Sequence, residues 1–184
     1  MDLQERCFSG DQSRIEEYRG KTWSLYFLGH LKEKLIESLG GRDIGIDPFV
    51  YSHGREPDTF LYFGRSKLPA YLEINQDGLL NLKVNLEGLT VEEKEERIKK
   101  AQTCHQNLLE DYDPVSKTRR LNPRAKIKTI MSFDAGLVRQ DGNLFYSSAQ
   151  AETISRLSEI LERFYGEPPF EANDVDLTIH PPNY

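Results

Sequence analysis

Cysteine and long apolar runs are both scarce in this chain. Cys7 and Cys104 are the only cysteines among 184 residues, and two thiols do not make the disulfide framework of a small secreted protein. No apolar run reaches the 18 residues that predict a membrane span. The first residues, MDLQERCFSGDQS, contain acidic side chains and no apolar stretch, unlike a secretory signal. We therefore expect a soluble protein of the reducing cytoplasm.

Familiar catalytic signatures are absent as well. The sequence has no phosphate-binding Walker loop, no dinucleotide-binding G-x-G-x-x-G and no G-x-S-x-G elbow. Its four histidines are scattered without metal-ligand spacing. Cys104 and His105 are neighbours in a predicted helix, where successive side chains point about 100° apart, so we interpret Cys104 as half-buried packing. These absences exclude most nucleotide enzymes and α/β-hydrolases.

Three helices are predicted, over residues 13–39, 91–110 and 148–165. Each begins at a four-residue pattern that resembles a capping box, with the sequences SRIE, TVEE and SSAQ. Apolar side chains then recur at helical spacing, most clearly in the first and third helices. Gly40-Gly41 and Pro168-Pro169 are typical helix-ending residues.

Strands are predicted between the helices. Alternation and aromatic content indicate strands over 47–52, 59–65, 69–75, 79–86 and 126–133, and a short ribbon over 136–146. Gln76-Asp77-Gly78 predicts a hairpin turn, because Asp-Gly tolerates a positive φ. The expected class is α+β, with a mainly antiparallel sheet, three helices on one face and the order α-ββββ-α-βββ-α. We expect a single domain over 13–166, a flexible lead over 1–12 and a Pro-rich acidic tail over 167–184.

The strand phase predicts a binding face on the sheet. Leu72, Ile74, Leu82 and Val84 alternate toward the core, which turns the intervening side chains outward. The outward set is Tyr71, Glu73, Lys83 and Asn85, together with Tyr62 and Tyr51 from neighbouring strands. A mixture of tyrosine, amide and charge is typical of a protein interface.

Two short patches resemble the arrangement of PD-(D/E)XK metal-dependent nucleases. Pro57-Asp58 comes before one predicted strand and Glu73-Ile74-Asn75 lies in the next. In such enzymes two carboxylates hold Mg²⁺ and a lysine activates water. The resemblance implies Asp58 and Glu73 as metal ligands, and Glu16 and Glu17 offer further acids. Asn75 replaces the lysine, however, and the competing interpretation makes Pro-Asp a turn and points Glu73 to solvent.

A basic segment stands out in an acidic chain of net charge −6. Its cations have no acidic residue between them and are Lys117, Arg119, Arg120, Arg124, Lys126 and Lys128. Such a cluster can bind phosphates or an acidic partner. The alternative is that Lys126 and Lys128 are the solvated side of a strand whose Ile127 points inward.

Two functions are consistent with these patterns. The first is a non-catalytic binding or regulatory protein, whose partner is most simply another protein, with nucleic acid as a possibility through the basic segment 117–128. The contact residues would be Arg119, Arg120, Arg124, Lys126, Tyr62, Tyr71 and Lys83. The alternative is the degenerate nuclease, with Mg²⁺ as its only cofactor, held by Asp58 and Glu73.

Overall fold

A computed structural model of the protein describes seven segments of the chain. They are residues 21–40, 46–52, 59–64, 69–104, 116–117, 121–141 and 143–166. The predicted lead and tail, the first predicted capping box, Asp58, Arg119 and Arg120 lie outside the described residues.

The described segments form three helices and eight strands. The helices are α1 (Lys21–Ser38), α2 (Val91–Cys104) and α3 (Gln150–Gly166). The strands are β1 (Asp47–Ser52), β2 (Thr59–Gly64), β3 (Ala70–Ile74), β4 (Leu79–Asn85), β5 (Ser116–Lys117), β6 (Ile127–Asp134), β7 (Leu137–Gln140) and β8 (Asn143–Tyr146). The α+β class and the predicted order of elements are confirmed. The two-residue strand β5 is additional to the predicted strands.

Six strands form one antiparallel sheet in the order β1-β2-β3-β4-β6-β5, and β7 and β8 form a separate hairpin. The register between β4 and β6 shifts between Leu82 and Lys83, which is a β-bulge. Among the described helices, none is long and apolar enough to cross a membrane.

One face of the sheet, here called the helix face, carries the hydrophobic core. Its strand residues include Leu61, Phe63, Leu72, Leu80 and Leu82, and they belong to one buried cluster with apolar side chains of all three helices. Tyr165 of α3 fixes this packing, because its hydroxyl donates to the carbonyl oxygen of Phe63 and accepts the N–H of Leu72. Burial of this apolar cluster is the main force that holds the helices on the sheet.

Helix α2 begins at the predicted capping box. The Thr90 N–H donates to a Glu93 carboxylate oxygen at 2.7 Å, and the Glu93 N–H donates to the Thr90 hydroxyl at 3.3 Å. The box predicted before α3 is not formed. The Ser147 N–H donates instead to the carbonyl of Gly136, and the Gln150 amide lies 3.4 Å from the His30 ring nitrogen.

The hairpin turn between β3 and β4 is confirmed. Gly78 has a φ of +78° and its N–H donates to the Asn75 carbonyl. The Asn75 side-chain oxygen accepts the N–H groups of Asp77 and Leu79, each at 3.0 Å. An asparagine at this position therefore completes the turn that sets the β3–β4 register.

Candidate functional site

The other face of the sheet, here called the second face, is built from polar and aromatic side chains. Because side chains alternate along a strand, the antiparallel registers place one set on this side. Its polar and aromatic members are Phe49, Phe60, Tyr62, Tyr71, Glu73, Asn81, Lys83, Asn85, Thr129 and Ser132. None of them belongs to the core cluster of the helix face.

A cross-strand row of polar groups runs through the middle of the second face. Tyr62 lies opposite Glu73, Glu73 opposite Asn81, and Asn81 opposite Ser132. The Ser132 hydroxyl donates to the Asn81 side-chain oxygen at 2.7 Å, and both residues are buried. Buried polar groups are costly unless they are hydrogen-bonded, so this row is a specific feature of the sheet and not a default surface.

Glu73 is the centre of the row, and the prediction that it points to solvent is wrong. Its side chain is 0% exposed, and its carboxylate lies 2.7 Å from the Lys83 ammonium, whose side chain is 19% exposed. The phase of β3 was predicted correctly, but this part of the second face is buried. A buried carboxylate needs a compensating charge, and Lys83 provides it from the neighbouring strand, two residues away from the position directly opposite.

Three aromatic rings form a ladder beside this ion pair. The ring centroids of Phe49 and Tyr62 are 4.8 Å apart, and those of Tyr62 and Tyr71 are 4.7 Å apart, both with tilted rings. Gly64 makes room for the ladder, since a Cβ atom there would lie 1.8 Å from the Tyr62 ring. Tyr71 was predicted to be exposed, and this is wrong, because it is 4% exposed.

The accessible part of the second face includes Phe49, Phe60, Tyr62 and Lys83, which are all partly exposed. Asn85 and Thr129 are also partly exposed, and Ile127 is exposed at the end of β6. The Lys83 ammonium also lies 5.3 Å from the centroid of the Phe60 ring, within the range of a cation–π contact. Burial and the Glu73 charge raise the pKa of Tyr62 to about 12. The phenol therefore keeps its proton well above neutral pH.

The described residues give the nuclease interpretation little support. Asn75, at the position of the expected lysine, is engaged in the hairpin turn. Asp58 lies outside the described residues, so its distance from Glu73 is untested. Within the described segments, no group of three or more histidine, cysteine or acidic side chains could hold a metal ion.

The basic segment is described only in part. Arg124 is exposed, and Lys126, 75% exposed, pairs with Glu87 at 2.7 Å, which raises the pKa of Lys126. The interpretation that Ile127 points inward is wrong, because Ile127 is exposed on the second face beside Asn85.

A lysine that the sequence interpretation missed holds this segment in place. Lys94 of α2 is buried, and its ammonium donates to the carbonyls of Pro123 at 2.6 Å and Ala125 at 3.0 Å. A charged residue in an acidic helix carries no sequence signal for such a contact, which depends on how α2 packs beside the sheet.

Comparisons of the chain with models of protein families, with curated proteins and with solved structures find no significant match. The functional argument therefore comes from the geometry of the second face.

Proposed function

We propose that the protein is a non-catalytic binding protein that recognises another protein through the second face of its sheet. The supporting observation is that Glu73 holds the partly exposed Lys83 ammonium beside Phe60, in a face that also presents Tyr62. Tyrosine and phenylalanine are enriched at the cores of protein interfaces, and tyrosine is common among the few residues that contribute most of the binding free energy.

The buried residues of this face support the accessible ones. The Glu73–Lys83 ion pair fixes the ammonium, and the contact of Tyr71 with Tyr62 fixes a phenol ring. Fixed side chains lose less conformational entropy when a partner binds, and this favours affinity. Compared with the sequence prediction, the proposed contact is smaller, since Tyr71 and Glu73 are support and not contact residues.

Site-specific photocrosslinking tests the proposal and finds the partner. A photoreactive phenylalanine analogue is placed at Phe60 and, as a control, at Val138, which is exposed on the separate hairpin. We expect a crosslinked protein from cell extract at Phe60 but not at Val138. The same products from both positions would contradict recognition through the second face.

The nuclease alternative remains a prediction that requires Asp58. A metal ion on Glu73 would have to displace or neighbour the Lys83 ammonium, which already compensates the carboxylate. Calorimetric titration with Mn²⁺ is the direct test, and the alternative requires binding that is lost in both Asp58→Asn and Glu73→Gln.

A further inference from the structure

Helix α1 exposes an apolar stripe on the side that faces away from the core. Six large apolar side chains of the described residues are exposed, and three of them lie on α1, namely Leu25 at 37%, Tyr26 at 43% and Ile36 at 47%. The other three are on three different elements. The opposite side of α1 buries Trp23 and Phe27, so α1 carries large apolar side chains on its buried side and on its exposed side.

The exposed stripe has a shape that allows close approach of a second helix. At about 100° per residue, Leu25, Gly29 and Ile36 lie within an arc of about 40°. A Cβ atom on Gly29 would have no heavy atom within 4 Å, so the middle of the stripe is open and flat. Small residues at such a position let two helix backbones come close together.

The charges beside the stripe select the kind of partner. Lys32 and Glu33 lie on opposite flanks of it, and both reach the surface. If two copies of α1 pack side by side and parallel, about a two-fold axis along the helices, Lys32 of one copy lies on the same flank as Glu33 of the other. Because of the two-fold symmetry, one such Lys32–Glu33 pair lies on each flank of the interface. An antiparallel arrangement would instead bring like charges together, which is unfavourable.

We propose that α1 is a homodimer interface, in which the Leu25–Gly29–Ile36 stripes of two copies pack in parallel and Lys32 pairs with Glu33 across the two-fold axis. The proposal is independent of the proposed function, because the stripe and the second face lie on opposite sides of the sheet. Helix α1 has 18 residues and is about 27 Å long, so its contact is smaller than the roughly 800 Å² per partner of a standard interface. We therefore expect weak association, with a Kd of about 10 to 100 µM.

Sedimentation analysis over a concentration series tests the interface. The mass of the wild-type protein should rise from the 21.3 kDa monomer toward twice that value. Ile36→Gln should weaken association at least about tenfold, whereas Val138→Gln, which also changes an exposed apolar side chain, should leave it unchanged. A wild-type protein that stays monomeric at about 500 µM, well above the expected Kd, would overturn the proposal, as would an Ile36→Gln variant that associates normally.

Charge reversal tests the parallel arrangement separately. Lys32→Glu and Glu33→Lys should each weaken self-association, because each places like charges on both flanks. An equimolar mixture of the two variants restores both opposite-charge pairs and should form a heterodimer at least as well as wild type. If the mixture stays monomeric while wild type dimerises, the parallel two-fold interface is incorrect.

Discussion

Two side chains from neighbouring strands determine the character of the second face. Glu73 is fully buried, which would be strongly unfavourable for a lone carboxylate, and the Lys83 ammonium at 2.7 Å compensates it. Lys83 in turn stays partly exposed, at 19%, although its ammonium contacts the buried carboxylate. Tyr62 reports on this electrostatic environment because the Glu73 charge acts on its phenol.

Tyr62 should ionise later than an ordinary tyrosine. Its pKa is raised to about 12, first by burial and then by the Glu73 charge. Because the folded protein keeps this proton longer than the unfolded chain, the contribution to stability is complete below pH 10 and is lost as the pH rises toward 12. The difference between the absorbance titrations of the wild type and of Tyr62→Phe isolates the ionisation of the Tyr62 phenol. Glu73→Gln should lower the pKa of Tyr62 only part of the way toward the ordinary value of 10, because burial is the larger cause of the shift. Ionisation of Tyr62 near pH 10 in the wild type would contradict its burial beside Glu73.

Removing only one member of the buried pair should be costly. Lys83→Met leaves the Glu73 carboxylate without its compensating charge, and we expect the free energy of unfolding to fall by about 3 to 5 kcal/mol. Adding Glu73→Leu to that variant should recover most of the loss, since the buried charge is gone. Urea denaturation measures both variants. The exposed Lys126–Glu87 pair provides the control, and Lys126→Met should not change the unfolding midpoint measurably. Equal losses in both lysine variants would contradict a special role for the Glu73–Lys83 pair.

At the scale of elements, local sequence patterns predicted most of the fold, because helix caps and turns are formed by residues that are close together in the sequence. The Thr90–Glu93 box starts α2 where it was expected, and the Asp77-Gly78 turn joins β3 to β4. The phase of β3 was also correct. The pattern could not show whether the side chains on each face are buried, so Tyr71 and Glu73 were predicted to be exposed to solvent. A period of two separates the faces of a strand and does not say what packs on them.

Gly78 and Gly88 provide a matched test of the β3–β4 hairpin. Both have a positive φ, of 78° and 76°, but a Cβ atom on Gly78 would lie 2.8 Å from the Leu137 carbonyl oxygen, whereas Gly88 has nothing within 4 Å. Gly88→Ala should therefore cost only the backbone term of about 1 to 2 kcal/mol. Gly78→Ala should cost at least about 1 kcal/mol more, because backbone atoms must shift. Equal urea midpoints for the two variants would show that the turn does not pack against β7 as described.

On the scale of the whole molecule, the sheet separates two surfaces. The helices close one face, and the exposed stripe of α1 lies on the outer side of that layer, while the second face lies across the sheet. A dimer through α1 would therefore leave both copies of the second face open. The net charge of −6 favours solubility and opposes nonspecific anion binding.

The independence of these surfaces can be measured once a partner is purified. Ile36→Gln should dissociate the dimer and leave the one-to-one affinity for that partner unchanged in a titration with the partner immobilised at low density. A loss of affinity in Ile36→Gln equal to its loss of self-association would show that the two surfaces are coupled.

Recognition through the second face is the central claim, and the affinity of the purified partner for surface variants tests it most directly. Phe60→Ala and Tyr62→Ala each remove an accessible aromatic side chain and should raise Kd by at least about tenfold, or about 1.4 kcal/mol. Both should weaken binding more than loss of the Lys83 charge does, measured as Lys83→Met in the Glu73→Leu background. Val138→Ala, on the separate hairpin, should bind like wild type. Unchanged affinity in folded Phe60→Ala and Tyr62→Ala proteins would contradict the claim.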